Sequence, residues 1–365
     1  MANVDGIRYT REALLERVGC MEQLCGVRAA ALADGRAAGV RVADFWTGTG
    51  LEFTVLVDRG LDIGAARWQG KSLCWRSAVG DAHPAYYEPE GLGWLRTFGG
   101  GLLTTCGLTA AGAPDTDAGE ELGLHGRVSH LPAESVHLDG GWEGDEYRVW
   151  ASGKVRQTRV FGENLLLTRK ISTHLGANSL WIHDVVHNEG HEPAPHMMLY
   201  HINLGFPVVD EGAELVAPSR RVTPRDPAAQ AEGAEYHRFH APRAGYQEKV
   251  YYHELTADER GWVPVALVNR RANKGAGLGV YVMYRQETLP HFVQWKMMGQ
   301  GTYVVGVEPA NCLVEGRAKE RAEGRLQFLK PGEKREYQLE IGVLSCQEEL
   351  DAFVERVSQA RRRSG

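Results

Sequence analysis

Leu165-Leu166-Leu167-Thr168-Arg169-Lys170-Ile171 and Leu180-Trp181-Ile182-His183-Asp184-Val185-Val186 are two β-rich runs. They are joined by residues 172–179, which carry Gly176, Asn178 and Ser179, and together they predict a hairpin of two long strands. Similar text lies on both sides. Leu51, Phe53, Val55 and Val57 alternate with other residues ahead of Asp58-Arg59-Gly60, as expected of a strand running into a turn. Residues 197–206, 265–269, 279–284, 302–307 and 336–343 read the same way, so the chain predicts an all-β architecture with well over ten strands. Helical spacing occurs at the two ends. Residues 8–34 space Leu14, Leu15, Val18, Met21 and Leu24 as a short helical segment, and residues 347–361 place Leu350, Phe353, Val354 and Val357 on one helical face, with Ser345 as its expected N-cap.

Residues 109–121 and 217–248 resist strand assignment and read as long loops, the second rich enough in proline to be a lid. Strand-like text with the same spacing continues on both sides of each, which predicts one large domain over residues 1–365. The 44 glycines among 365 residues agree with many tight turns. Lysine and arginine number 41 against 47 acidic residues, a formal charge of −6, so no broad basic field exists for nucleic acid or an anionic membrane. A small molecule is the expected partner, and a monomer or homodimer the expected assembly. Six scattered cysteines without a C-x-x-C pair, and no apolar run of membrane-spanning length, predict a soluble cytoplasmic protein with reduced thiols.

Three segments concentrate polar residues in apolar or turn-rich text: Leu124-His125-Gly126-Arg127, Leu199-Tyr200-His201-Ile202-Asn203-Leu204, and Val304-Val305-Gly306-Val307-Glu308-Pro309-Ala310-Asn311. Period-two alternation puts Glu308 on the face of Val304 and Gly306, and His201 on the face of Leu199 and Asn203. A carboxylate at the end of an apolar strand can serve as a base, and an imidazole can serve as its acid partner. The plain alternatives are a solvated strand-end acid, a structural strand histidine and a loop histidine at position 125. Arg59 and Arg127 adjoin turn glycines and could donate paired hydrogen bonds to an oxygen-rich ligand. Trp295 and Lys296 set an aromatic plane beside a cation, fit for a stacked sugar or, in the plain reading of the tryptophan, for the core.

The order and spacing of Leu-His-Gly, the His201 strand with its Asn203-Leu204, the late Glu308 and Leu329-Lys330-Pro331-Gly332-Glu333 resemble the galactose mutarotase (aldose 1-epimerase) superfamily. Together with Asp58-Arg59-Gly60-Leu61-Asp62-Ile63, they look like a divergent bacterial branch of unassigned substrate, over roughly residues 40–345. The resemblance implies a β-supersandwich with a sugar site on the concave face of a large sheet. It implies Glu308 as general base, His201 as general acid and His125 as a ligand of the sugar oxygens, with no metal and no organic cofactor. Arg59, Arg127, Asn203, Trp295 and Lys296 are the remaining candidates for the ligand shell. Anomer exchange takes a proton from the anomeric hydroxyl while giving one to the ring oxygen, and the proximity of the pair is expected to raise the pKa of His201 and lower that of Glu308.

Where the family usually has Glu-Thr-Gln, this chain has Glu308-Pro309-Ala310, and His201 is followed directly by Ile202-Asn203-Leu204, departures that fit a changed substrate. Other readings remain open. The same pair would serve enolisation of a keto sugar or uronate, the protein could bind carbohydrate without catalysis, or His183 and His187 could help hold a divalent metal in a cupin-like sugar isomerase.

Overall fold

The computed structural model describes residues 2–4 and 6–362, and the expected hairpin is present in it. Strands Asn164–His174 and Ser179–Asn188 pair antiparallel, Leu167 opposite Val186 and Ile171 opposite Ile182. They are central strands of an eight-stranded sheet that begins with Glu134–Glu143 and Glu146–Thr158 and continues through Lys334–Leu344, Leu278–Arg285, Trp262–Asn269 and Glu214–Val216.

A seven-stranded sheet faces it. It runs Ser219–Pro224, Lys249–Leu255, His291–Gly299, Thr302–Ala310, Ala194–Gly205 and Gln327–Leu329, with Thr104–Leu108 also paired to Ala194–Gly205. A five-stranded sheet from Gly26–Ala31 to Lys71–Ser72 completes the β-supersandwich. Alternation builds one core across all three sheets: Leu167 and Ile182, Ile202 and Val305, and Val55 and Ile63 share a single buried apolar cluster. Along the two central strands of the seven-stranded sheet, Met198, Tyr200, Ile202, Leu204, Val305 and Val307 enter that core. Their neighbours in sequence therefore turn to the opposite face.

A buried ion network crosses the core where three sheets meet. Arg169 donates through Nε and Nη2 to Asp184 (2.9 and 2.7 Å) and through Nη1 to Asp62 (2.9 Å). The Tyr200 hydroxyl donates to the same Asp184 carboxylate at 2.7 Å. The two carboxyl groups share one guanidinium, and hydrogen bonds from Tyr200 and Thr105 complete the network that keeps these groups buried. Tyr200 is thereby tied on the core side of its strand.

Several local expectations need correction. The N-terminal helical segment is one short helix, Arg11–Leu15, followed by a 3-10 turn at Met21–Gln23, and residues from Gly26 onward are already strand. The C-terminal helix is Gln347–Arg362, with Leu350, Phe353 and Val357 buried against the outer face of the eight-stranded sheet. Ser345 does not cap it by accepting a bond, because its N–H and hydroxyl both donate to Glu349. Neither long loop is irregular throughout. Residues 109–121 hold the ladder Asp115–Asp117 with Glu120–Leu122, and Arg317 and Arg321 both clamp Asp117. Residues 217–248 hold the strand Ser219–Pro224, a helical turn Pro227–Gln230 and a 3-10 segment Gly233–His237. That segment lies against the side chains of Gln294 and Lys296, on the sheet face opposite Trp295, and is therefore not a lid over the face that carries His201 and Glu308. The six cysteines are unpaired. No described helix is long and apolar enough to cross a membrane.

Candidate active site

The core-averse face of the seven-stranded sheet forms the floor of a cavity of about 610 Å³. His201, Glu308, Val293, Trp295 and Met297 rise from its strands, Trp94 from the 3-10 helix Gly93–Thr97, and Trp75, Phe98 and His125 from loops. Four of the eight residues singled out from the sequence thus meet here: His201, Glu308, His125 and Trp295.

Nε2 of His201 stands 3.2 Å from Oε1 of Glu308, both side chains buried. The angle makes no hydrogen bond, which leaves Oε1 of Glu308 a buried polar atom without a partner, and Nδ1, on the other side of the His201 ring, has none either. Such atoms are costly in a folded protein and are expected where a ligand supplies the missing bonds. Gly306 makes room for the carboxyl. A Cβ at that position would lie 2.2 Å from Oε1 of Glu308, so the side chain folds back along its own strand over the glycine. The His201 ring is packed edge-on against Phe98 (5.5 Å between centroids), Trp295 (5.4 Å) and His125 (5.7 Å).

These surroundings reverse the expected electrostatics. Burial holds the Glu308 carboxyl well above the ordinary range, with the charge of Glu248 adding to the effect. Burial likewise pushes His201 down to about 3, with His125 adding. Burial outweighs the mutual attraction of the pair and favours the neutral form of both groups.

His125 is aimed by its backbone. It has φ +58° and is followed by Gly126 at φ +74°, where a Cβ would lie 2.3 Å from the Ala110 carbonyl oxygen and 2.4 Å from that of Gly107. Only glycine permits this approach, which explains the Leu-His-Gly text. Nδ1 of His125 accepts from the Gly112 N–H at 3.3 Å, and burial lowers its pKa to about 4.

The other four candidates lie elsewhere. Arg59 is buried and donates to the carbonyls of Ala82 and Thr97, with Nη2 3.2 Å from Nε2 of His130, so its fork is spent on holding loops. The whole Asp58–Ile63 stretch is structural in this way: Asp58 accepts from Arg41, and Asp62 from Arg169 and Thr105. Arg127 has an exposed side chain outside the cavity lining. Asn203 shares the His201 face but is buried beyond the cavity lining, donating to the Gly101 and His201 carbonyls. Lys296 points through the sheet, where Nζ meets Glu232 at 3.0 Å and the carbonyls of Glu235 and Arg238. Nor do His183 and His187 form a metal site. His183 pairs with Glu336 at 2.9 Å, and no group of three or more potential ligands occurs among the described residues.

Sequence reading missed much of the wall. Trp75 is carried by the end of the Ala194–Gly205 strand: its N–H donates to the Asn203 carbonyl at 2.9 Å, and a Cβ on Gly205 would lie 2.7 Å from its Cα. Trp94 stacks on Phe98 at 4.4 Å. Arg225 and Glu248, from the two ends of the supposed lid, are linked at 3.2 Å, and Glu248 also accepts from the Trp295 indole at 2.8 Å. Glycines that no side chain could replace were the one sequence sign of these approaches.

Known proteins agree with this architecture. A model of the family described as a domain of unknown function (DUF4432) matches residues 37–343. No curated protein matches the chain. Among solved structures, one from Klebsiella pneumoniae, provisionally named an aldose 1-epimerase, superposes with a TM-score of 0.86 at 23% identity, over 95% of this chain and 94% of that one. A galactose mutarotase-like protein from Clostridium acetobutylicum gives 0.62 at 13% identity, over 88% and 99%. A galactose 1-epimerase from Lactobacillus acidophilus gives 0.50 at 12% identity, over 88% and 100%. The chain therefore belongs to the DUF4432 family, and its fold is that of the galactose mutarotase-like proteins.

Proposed function

We propose that the protein is an aldose 1-epimerase-like isomerase, with Glu308 and His201 exchanging protons with the anomeric hydroxyl and ring oxygen of a small sugar. The observation that carries this is the pair itself: two titratable groups 3.2 Å apart on the floor of an aromatic cavity, with Oε1 of Glu308 buried and unpartnered between them. Ring opening removes one proton from the anomeric hydroxyl and adds one to the ring oxygen. After rotation about the C1–C2 bond, closure reverses both transfers on the other face.

The proton count decides whether the pair can do this. A neutral acid beside a neutral imidazole holds one proton to give and one lone pair to receive, the same total as a carboxylate beside an imidazolium. The two forms differ by one proton shift within the pair. Burial favours the neutral form, so the carboxylic acid is the group ready to protonate the ring oxygen and the imidazole the group ready to accept. In this reading His125, whose ring centroid is 5.7 Å from that of His201, holds a sugar oxygen, and Trp295 faces the sugar ring.

Exchange NMR on a panel of free aldoses, keto sugars and uronates tests the reading. Wild type should accelerate anomer exchange for at least one sugar, and Glu308→Gln should lose on the order of 10²–10⁴-fold of that rate. Near wild-type turnover by the variant on every accelerated sugar would refute it.

A further inference from the structure

The polarity of the cavity wall restricts what can occupy it. Ser77 has both hydrogen-bonding roles in use, donating to the Phe98 carbonyl at 2.6 Å and accepting from the Val79 N–H at 3.1 Å. The Trp94 indole donates to Ser129 and the Trp295 indole to Glu248. Arg225, the one cation among the described lining residues, is closed between Asp226 at 2.9 Å and Glu248 at 3.2 Å. The unpartnered buried polar atoms of the lining are at the His201 and Glu308 floor. Leu92 and Leu95 also line the cavity while remaining 59% and 48% exposed, so its mouth is edged with apolar surface open to water. A volume of about 610 Å³ is inside the roughly 300–1,000 Å³ range of pockets for drug-sized ligands. A monosaccharide fits within it, and a free hexose carries a hydroxyl on nearly every carbon.

Leucine surface open to water gains by being covered with a methyl group and gains nothing from a hydroxyl, and an acidic sugar would meet the Glu248 carboxyl and no unpaired cation. We propose that the substrate is a neutral deoxy sugar with a free anomeric centre, its hydroxyl-bearing edge on the His201 and Glu308 floor and its deoxygenated carbon against the leucine-edged mouth. This rests on the isomerase reading above and names its substrate class. Leu92 and Leu95 become specificity-determining residues, because they favour a methyl group and offer nothing to a hydroxymethyl or carboxylate in its place.

The test uses matched sets of one configuration: D-fucose, D-galactose and D-galacturonate, and L-rhamnose with L-mannose. Exchange NMR should give the deoxy member a kcat/KM on the order of tenfold above its hydroxylated partner in at least one set, with no set reversed and the uronate slowest. Equal or higher values for the hydroxylated or acidic members overturn the proposal. Leu95→Gln should shrink the deoxy preference severalfold, and an unchanged ratio also counts against it. If no sugar is turned over, the isomerase reading fails by itself, and titration of tryptophan fluorescence from Trp75, Trp94 and Trp295 with the same sugars still reads the substrate class. Tighter binding of the deoxy member then upholds it. Equal, weaker or undetectable binding overturns it.

Discussion

Gly306→Ala places one methyl group where the Glu308 carboxyl now sits. The added Cβ would be 2.2 Å from Oε1 of Glu308, and ordinary contact begins at 3.4 Å, so the oxygen must retreat by about 3.4 − 2.2 = 1.2 Å. The same Cβ would stand 3.0 Å from the Cβ of Trp295, a tight approach that the neighbouring strand absorbs by a few tenths of an ångström. Gly306 lies in a strand, opposite Trp295 and Asn203 and outside the left-handed region, so alanine needs no new backbone conformation. It also restricts the unfolded chain, a gain of roughly 0.5–1 kcal/mol that offsets the crowding. The fold should therefore survive, while the carboxyl loses its place. Misplacement of a catalytic group by about 1 Å costs on the order of 10²-fold in rate. Anomer-exchange NMR on the accelerated sugar should show that loss in kcat, with a melting temperature within a few degrees of wild type. A variant that folds as wild type and turns over within threefold of it would refute the placement of Glu308 as the reacting group.

Other consequences can be checked with purified variants. Lys296→Met leaves the Glu232 carboxylate and two carbonyls without their buried ammonium, at about 3–5 kcal/mol for a broken buried pair. Its melting temperature should fall clearly while kcat/KM stays within about twofold, and a raised KM at unchanged stability would return Lys296 to the ligand shell. Acid should destabilise the fold before most carboxylates titrate. His196 and His253 are buried and neutral with pKa values near 4, against about 6.5 in the unfolded chain. The unfolded state binds more protons between these values, so stability is complete above about pH 6.5 and falls as the pH drops toward 4. At pH 5 each histidine costs on the order of 2 kcal/mol, and melting temperatures that stay flat from pH 7 to 5 would refute this. Glu308 acts in the opposite sense: its folded pKa is raised, so it costs stability as pH rises through and beyond the carboxyl range. Glu308→Gln should therefore melt higher than wild type at pH 8, and an unchanged or lower melting temperature would argue against a neutral buried acid.

Legibility followed periodicity. His201 and Glu308 could be read because each sits in a strand whose alternate residues enter the core, so the face of each side chain follows from its neighbours, whereas Trp295 stood out only as a neighbour of Lys296, which the same alternation sends to the other face. His125 could be read through Gly126, a position where a side chain has no room. Arg59 and Lys296 misled because a charge beside a turn or an aromatic residue looks available for a ligand. Their partners, Ala82 and Thr97 for one and Glu232, Glu235 and Arg238 for the other, lie 23 to 64 positions away, where no local pattern points to them. Trp75 and Phe98 lie outside regular elements and Trp94 in a short 3-10 helix, and only the three-dimensional approach of Gly205 and Gly100 to Trp75 shows why the chain passes there.

The same alternation explains why the site can be both polar and firmly held. On the His201 strand the residue before it, Tyr200, faces the core and is fixed by Asp184, which Arg169 holds in turn. On the Glu308 strand the residue before it, Val307, is packed in the same core. On the third strand Trp295 is followed by Lys296, anchored through the sheet to the 232–238 segment. Each cavity-facing side chain thus has a neighbour on the other face whose interactions fix the backbone beneath it. Two unpartnered polar atoms can persist at the cavity floor because the sheet gives them no freedom to turn away. That rigidity keeps His201 and Glu308 3.2 Å apart, close enough to share a proton and angled so that neither satisfies the other. A ligand that bonds to both removes the cost of those orphaned atoms, and this differential is available to bind and activate a substrate.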